Sequence, residues 1–372
     1  MKKTILENKK VSKKKKKQVK KTKDIRIFNF LSFILIFSGF LLLAYFFYNY
    51  FIFYKNINNG TKETEVNEDE EVECNYRRII DGVCVDFQKD VNPDLVVVMI
   101  ENHTDARPQS GLEKANIVYE APVEANYSRF MAIYLKDDEV VKVGPIRSAR
   151  PYYLDWLSEY GKPLYIHIGG APLALERIKN ENIFDMNEFY RGSYFWRSSD
   201  RYAPHNAYSS SNLWQADWKK YSDENIKMNT SSWQFGDIEN CEENCINNVY
   251  ISFLDPYYTV DWKYSSSTEK YLRYQVGYKH LVQDGSKIFA DIIIVQYVNT
   301  KVIDEVGRLE MDTFGTGKVE IFQKGNKVFG FWQKDDLNLK TRFYNENNEE
   351  IILNSGKIWI EVVNQNCDVK DY

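Results

Sequence analysis

Ready-made catalytic signatures are missing from this chain. It has no G-x-S-x-G elbow, no H-E-x-x-H and no Walker loop, which sets aside the hydrolase serine, the zincin and the P-loop routes to chemistry. No cofactor motif is visible either, so no cofactor is expected, apart from a divalent cation if the chemistry is phosphoryl transfer. Histidine is scarce, with only His103, His167, His205 and His280 in 372 residues. Cysteine amounts to five residues. No histidine lies near Cys241 and Cys245, so a four-donor metal site there lacks two ligands, and no metal site is expected. The close pairs Cys74/Cys84 and Cys241/Cys245 read instead as local disulfides of an oxidising compartment, with Cys367 left over. Internal repeats and coiled-coil heptads are absent.

Net positive charge is lacking everywhere except at the start. Residues 1–26 hold twelve Lys and Arg26 against Glu7 and Asp24, a net of +11; subtracted from the whole-chain −4, this leaves −15 for residues 27–372. An acidic body does not suit nucleic acid, and any anion site in it must be made locally by a few arginines. The 28 residues Ile27 to Tyr54 carry no charge at all. That length suffices to cross a bilayer, and a basic flank of this kind stays in the cytoplasm. The expected layout is a cytoplasmic basic tail (1–26), a single transmembrane helix acting as an uncleaved signal anchor (27–54), and an extracellular remainder attached to the cell membrane. Residues 55–92 read as an acidic stalk, because TKETEVNEDEEVE has seven acids in thirteen residues, with a disulfide loop within it.

The rest divides by pattern near residue 240. From 93 to 240, apolar strands alternate with helices, the expected fold being α/β (α+β) with a mixed sheet. LVVVMIE (95–101) has the continuous apolar character of a strand buried on both faces. IVYEAPVE (117–124), RFMAIYL (129–135) and EVVKVGPI (139–146) follow, the last two joined as a hairpin through Lys136-Asp137-Asp138. A helix starts at Pro151, a strand spans 163–170, and helices follow from Ala171 and near Ser210. From 241 to 372 strand-like runs and Asp-Gly, Gly-Asn and Ser-Gly turns predict a β-rich domain.

Ligands in open α/β sheets collect beyond the carboxyl ends of strands. There the chain places Glu101, His103, Asp105 and Arg107, then Arg147 and Arg150 before Pro151, and His205 with Asn206 in a later loop. Two guanidiniums at a helix start suit a phosphate or carboxylate; alternatively, each pairs with a nearby acid and only fixes the turn. His103, Glu101 and Asp105 are the acid–base or metal-holding candidates. Glu120 and Glu124 are either a carboxylate pair for acid–base work or, for Glu124, an ion-pair partner of Arg129. His167, within an apolar strand, reads as a core histidine.

The segments MIENHTDARPQSGLEKANIVYEAPVE, SRFMAIY, GPIRSARPYYLDW and HIGGAP, with GTGKVEIFQKGNKVFGFWQK downstream, resemble the YerB-like lipoproteins of Gram-positive bacteria. That resemblance implies two domains and leaves the function open. The family usually has a Gly-rich turn where this chain has Ala125-Asn126. The layout of basic tail, single span and exterior α/β domain is also similar to that of LytR-CpsA-Psr proteins, which transfer phosphate-linked glycopolymers. Three functions are therefore expected to compete. One is binding of an anionic envelope polymer or lipid-linked precursor through Arg147, Arg150, Arg107 and Arg129. The second is an enzyme acting on such a polymer or on peptidoglycan. The third is a scaffold for envelope protein partners.

Overall fold

The computed structural model describes residues 38–39, 41–52, 74–253 and 255–372. Residues 38–39 and 41–52 are helical and largely exposed. Among the described residues no helix is long and apolar enough to cross a membrane. The remainder of the expected span at 27–54, the basic tail at 1–26 and most of the expected stalk lie outside the described residues. Residues 73–372 form one compact unit.

That unit is organised by a ten-stranded mixed sheet. Its strands, in chain order, are β1 (Leu95–Glu101), β2 (Ile117–Pro122), β3 (Ser128–Leu135), β4 (Leu164–His167) and β5 (Asp185–Asn187) from the first half. A second, antiparallel sheet is built from β6 (Asn248–Ser252), β7 (Thr259–Ser265), β8 (Lys270–Gln275), β9 (Tyr278–Lys279) and β10 (Phe289–Ala290). The large sheet then receives β11 (Ile292–Tyr297), β12 (Gly315–Gln323), β13 (Asn326–Lys334), β14 (Arg342–Asn345) and β15 (Ile358–Val363), and β16 (Val369–Asp371) returns to the smaller one. The order in the large sheet is β14-β13-β12-β11-β15-β2-β3-β1-β4-β5. The α/β first part and the β-rich second part are thus both present, and they share a continuous sheet through the parallel pair β15–β2, in register Ile358 to Ile117 and Glu361 to Glu120.

Alternation along the strands separates two cores. Val97, Met99, Met131 and Ile133 face α1 (Pro151–Leu157) and α2 (Pro172–Asn180), whose Tyr153, Trp156 and Ala174 are buried there. Val96, Val98, Phe130 and Ala132 face the smaller sheet, meeting Val249, Ile251, Val260 and Trp262. Both faces of β1 are covered, which is why its sequence is an unbroken apolar run.

Two expectations are corrected. Residues 139–146 form no regular strand and no hairpin with β3, because β3 already has β1 on one side and β2 on the other. The segment instead runs as a strap held by isolated bridges, Ile146 to Ile100, Gly144 to Ser110 and Val143 to Ser209. Nor is 74–92 a solvated stalk: Ile80 and Asp81 are buried, and Ser355 and Asp237 accept hydrogen bonds from Arg77. Disulfides join Cys74 to Cys84 and Cys241 to Cys245.

Candidate functional site

The strap crosses the carboxyl end of β1. Glu101 donates its N–H to Pro145 and Arg147 donates to Met99, so Arg147 is fixed above Glu101 by backbone alone. The Arg147 Nε then meets Glu101 Oε1 at 2.8 Å, and the other oxygen, Oε2, accepts from His205 Nδ1 at 2.9 Å. Glu101 is only 4% exposed, so the carboxylate is held by two charge-assisted partners out of water.

His205 arrives on a loop that is pinned on both sides. Arg201 donates to the carbonyls of Ala106 and Pro108 and to the Tyr208 hydroxyl. Asn206 accepts from Arg197 and donates to the Ser198 and Arg201 carbonyls, so this residue, expected among the ligand-binding groups, is a loop fastener. The result is a stack of the His205 ring on that of His103, with centroids 4.6 Å apart, while Tyr127 presents an edge to His103 at 5.2 Å. Asp105 completes the group. Its backbone N–H donates to His103 Nδ1 at 3.1 Å, and its Oδ2 lies 3.7 Å from that nitrogen and 4.0 Å from His205 Nε2.

The arginines divide into two kinds. Arg150 is bonded at two points to Glu124 and Arg147 to Glu101, so the pairing alternative holds for both residues of the R-x-x-R-P segment. Burial alone would raise the Glu124 carboxyl; the Arg150 hydrogen bonds and charge overcome this and hold it below the usual range. The expected Glu124–Arg129 pair does not form. Arg129 is buried, opposite Glu101 on β3, and its guanidinium donates from Nη1 to the Ser148 carbonyl at 2.6 Å. Among the described residues no carboxylate pairs with it. Burial, followed by repulsion from Arg150, lowers its guanidinium to about 10, so it stays charged at neutral pH. Three guanidiniums therefore meet two carboxylates here, and the surplus charge sits on Arg129. The helix after Pro151 has only seven residues and contributes packing rather than a dipole site.

Two expected members fall elsewhere. Arg107 lies over the Tyr258 ring at 4.8 Å and donates Nε to Asn102, with Nη2 buried and unpartnered. Glu120 projects to the opposite face of the sheet, fully buried, where it accepts from Ser128, Asn102 and Arg273. This corrects its placement in the site: strand alternation sends Tyr119 toward the helices and Glu120 toward the smaller sheet. Arg273 continues from Glu120 to His280 Nδ1 at 2.5 Å, and His280 Nε2 donates to Gln109 at 2.8 Å. Burial, and then the Arg273 charge, keep His280 well below the ordinary range and therefore neutral. His167 is a core histidine, bonded to the Gly169 carbonyl and Asp185.

The strand-end pattern brings His103 and His205 to one end of the sheet, but nothing local in R-Y-A-P-H-N says that His205 stacks on a residue 102 positions earlier. The only available signal was the strand-end rule applied to both loops.

The N-terminal domain model of the "Protein of unknown function (DUF3048)" family matches residues 83–225, and its C-terminal domain model matches 249–360. The chain is 31% identical over 275 residues to the "Putative lipoprotein YerB" of Bacillus subtilis (strain 168), covering 72% of this chain and 80% of that protein. The crystal structure of the Bacillus subtilis YerB protein superposes with a TM-score of 0.69 at 28% identity, covering 79% of this chain and 99% of the other.

Proposed function

The chain belongs to the DUF3048 family, and we propose that it is a membrane-anchored extracytoplasmic protein of the cell envelope that binds an anionic, phosphate- or carboxylate-bearing glycan or lipid-linked precursor at the Arg129–Arg147–Arg150 cluster. One observation carries the reading: Arg129 is a buried, protonated guanidinium with no carboxylate partner among the described residues, beside two arginines whose own charges are already balanced. A buried charge without a counterion is costly, and an incoming anion would supply the missing partner. The uncharged run at 27–54 behind a basic tail supports anchoring by a helix, and the word lipoprotein in the name of the Bacillus relative supports a place at the membrane.

Thermal unfolding of residues 73–372 with inorganic phosphate, a phosphorylated oligosaccharide and a polyprenyl phosphate tests the proposal. Stabilisation that disappears in Arg129→Gln is the expected outcome. Failure of all three compounds to raise the melting temperature sinks it. A second reading, transfer or cleavage of a phosphate-linked polymer at the same arginines, draws on the oriented His205 imidazole; release of phosphate or appearance of a covalent product would favour it over binding alone.

A further inference from the structure

We infer that His103, Asp105 and His205 form a binding site for a divalent transition metal of the zinc class, adjoining the arginine cluster through Glu101. The argument is one of donors and acceptors. His205 Nδ1 faces a carboxylate oxygen at 2.9 Å and so carries its proton there, which leaves a lone pair on Nε2. His103 Nδ1 accepts the Asp105 N–H at 3.1 Å, so its lone pair is also on the nitrogen near Asp105. Asp105 Oδ2 lies 3.7 Å from the first of these nitrogens and 4.0 Å from the second. Three acceptor atoms thus lie within 4.8 Å of one another. A cation is what such a set lacks.

Two nitrogens and one carboxylate oxygen match the three-ligand sets that hold catalytic zinc and leave a further coordination position open. Glu101 behind His205 is the outer partner that fixes the tautomer and orientation of a ligating imidazole, and Arg147 holds Glu101 in turn. Ligands at about 2.1 Å from one ion must close in by less than about 1 Å. Asp105, with a side chain 70% exposed, is free to make that movement, and His103 would exchange its backbone hydrogen bond for the metal. The metal site needs no anion for its formation and stands apart from the binding proposal.

Residues 73–372, stripped with chelator, would be titrated with zinc and manganese chlorides by calorimetry, and with cobalt by visible absorption. One zinc per chain is expected, with affinity reduced at least about tenfold by Asp105→Asn and by either histidine to alanine, and about 10- to 100-fold by Glu101→Gln. Asp105→Asn alters an exposed side chain, so its unchanged metal-free melting curve separates lost ligation from lost folding. Zinc uptake that is equal in wild type and in the His103→Ala/His205→Ala pair, or absent from wild type, overturns the inference. The arms are separable: phosphate stabilisation of the metal-free protein without zinc binding removes the metal site alone, and zinc binding without any phosphate response removes the anion reading alone.

Discussion

Arg150 grips Glu124 at two points, Nε to Oε1 at 2.6 Å and Nη2 to Oε2 at 2.7 Å, and so ties the start of α1 to the turn between β2 and β3. Charge-assisted hydrogen bonds in a half-buried setting contribute about 1.5–3 kcal/mol. Glu124→Gln should therefore lower the unfolding free energy by about 2 kcal/mol at pH 7, measured by urea denaturation. Because the folded carboxyl lies below its ordinary value, the contribution is fully present above the usual carboxylate range. It is lost as pH falls through the lowered value, so wild type and variant should converge in strong acid.

The same turn holds Ala125 and Asn126 at φ 59° each, the left-handed region that side chains disfavour. Ala125 is exposed on this turn. Left-handed backbone costs an alanine about 1 kcal/mol, against which glycine loses about 0.4–1 kcal/mol through its freer unfolded chain. Ala125→Gly should raise stability by up to about 0.6 kcal/mol, seen as a higher urea midpoint with an unchanged slope. A lower midpoint would mean that the methyl packs usefully.

Legibility followed burial. The runs at 95–101 and 358–363 announce themselves because both sheet faces are covered, so that only Glu101 and Glu361 interrupt the apolar pattern. Pro151 and Pro172 mark the true starts of α1 and α2 for the same local reason, a fixed φ and a dispensable N–H. The strap at 139–146 carries Val140, Val141 and Val143 around Lys142 and reads as a strand, since what denies it a ladder is the occupancy of both edges of β3, a long-range fact. Arg129 shows the same divide: its type is readable, but its lack of a counterion depends on Glu124 turning to Arg150 and Glu101 to Arg147.

Glu120 and Glu361 sit side by side in the parallel β2–β15 register, with Arg273 from β8 bonded to Glu120 at 2.5 Å. Burial, and then the Glu120 charge, raise Glu361 well above the ordinary range, and Trp262 donates to its Oε1 at 2.8 Å. Glu361→Gln, which imitates the protonated acid, should change stability little. Glu120→Gln leaves Arg273 buried without a counterion and should cost about 3–5 kcal/mol. Equal losses in the two variants, measured by denaturant unfolding, would contradict this division of charge.

Lys340 makes the opposite case, a buried cation that the fold would be better without. Its ammonium lies 3.8 Å from the centroid of the Trp233 ring and 4.2 Å from that of Tyr160. Burial, only partly opposed by Glu159 and reinforced by Arg342 and Lys334, lowers it to about 7. The unfolded chain, with an ordinary lysine near 10.4, binds more protons between these values, so unfolding free energy should rise with pH by up to about 1.4 kcal/mol per unit from this group. Below about pH 7 the penalty is complete and constant. The ring contacts return about 1–2 kcal/mol of it, as cation–π pairs do when desolvated. Lys340→Met keeps the volume and removes the charge, so it should stabilise the protein by about 1–3 kcal/mol at pH 6, with the gain shrinking toward pH 10. Melting temperatures of both proteins across that range decide the matter: a variant that is less stable at pH 6, or a gain that grows with pH, would mean that Lys340 is paired in solution.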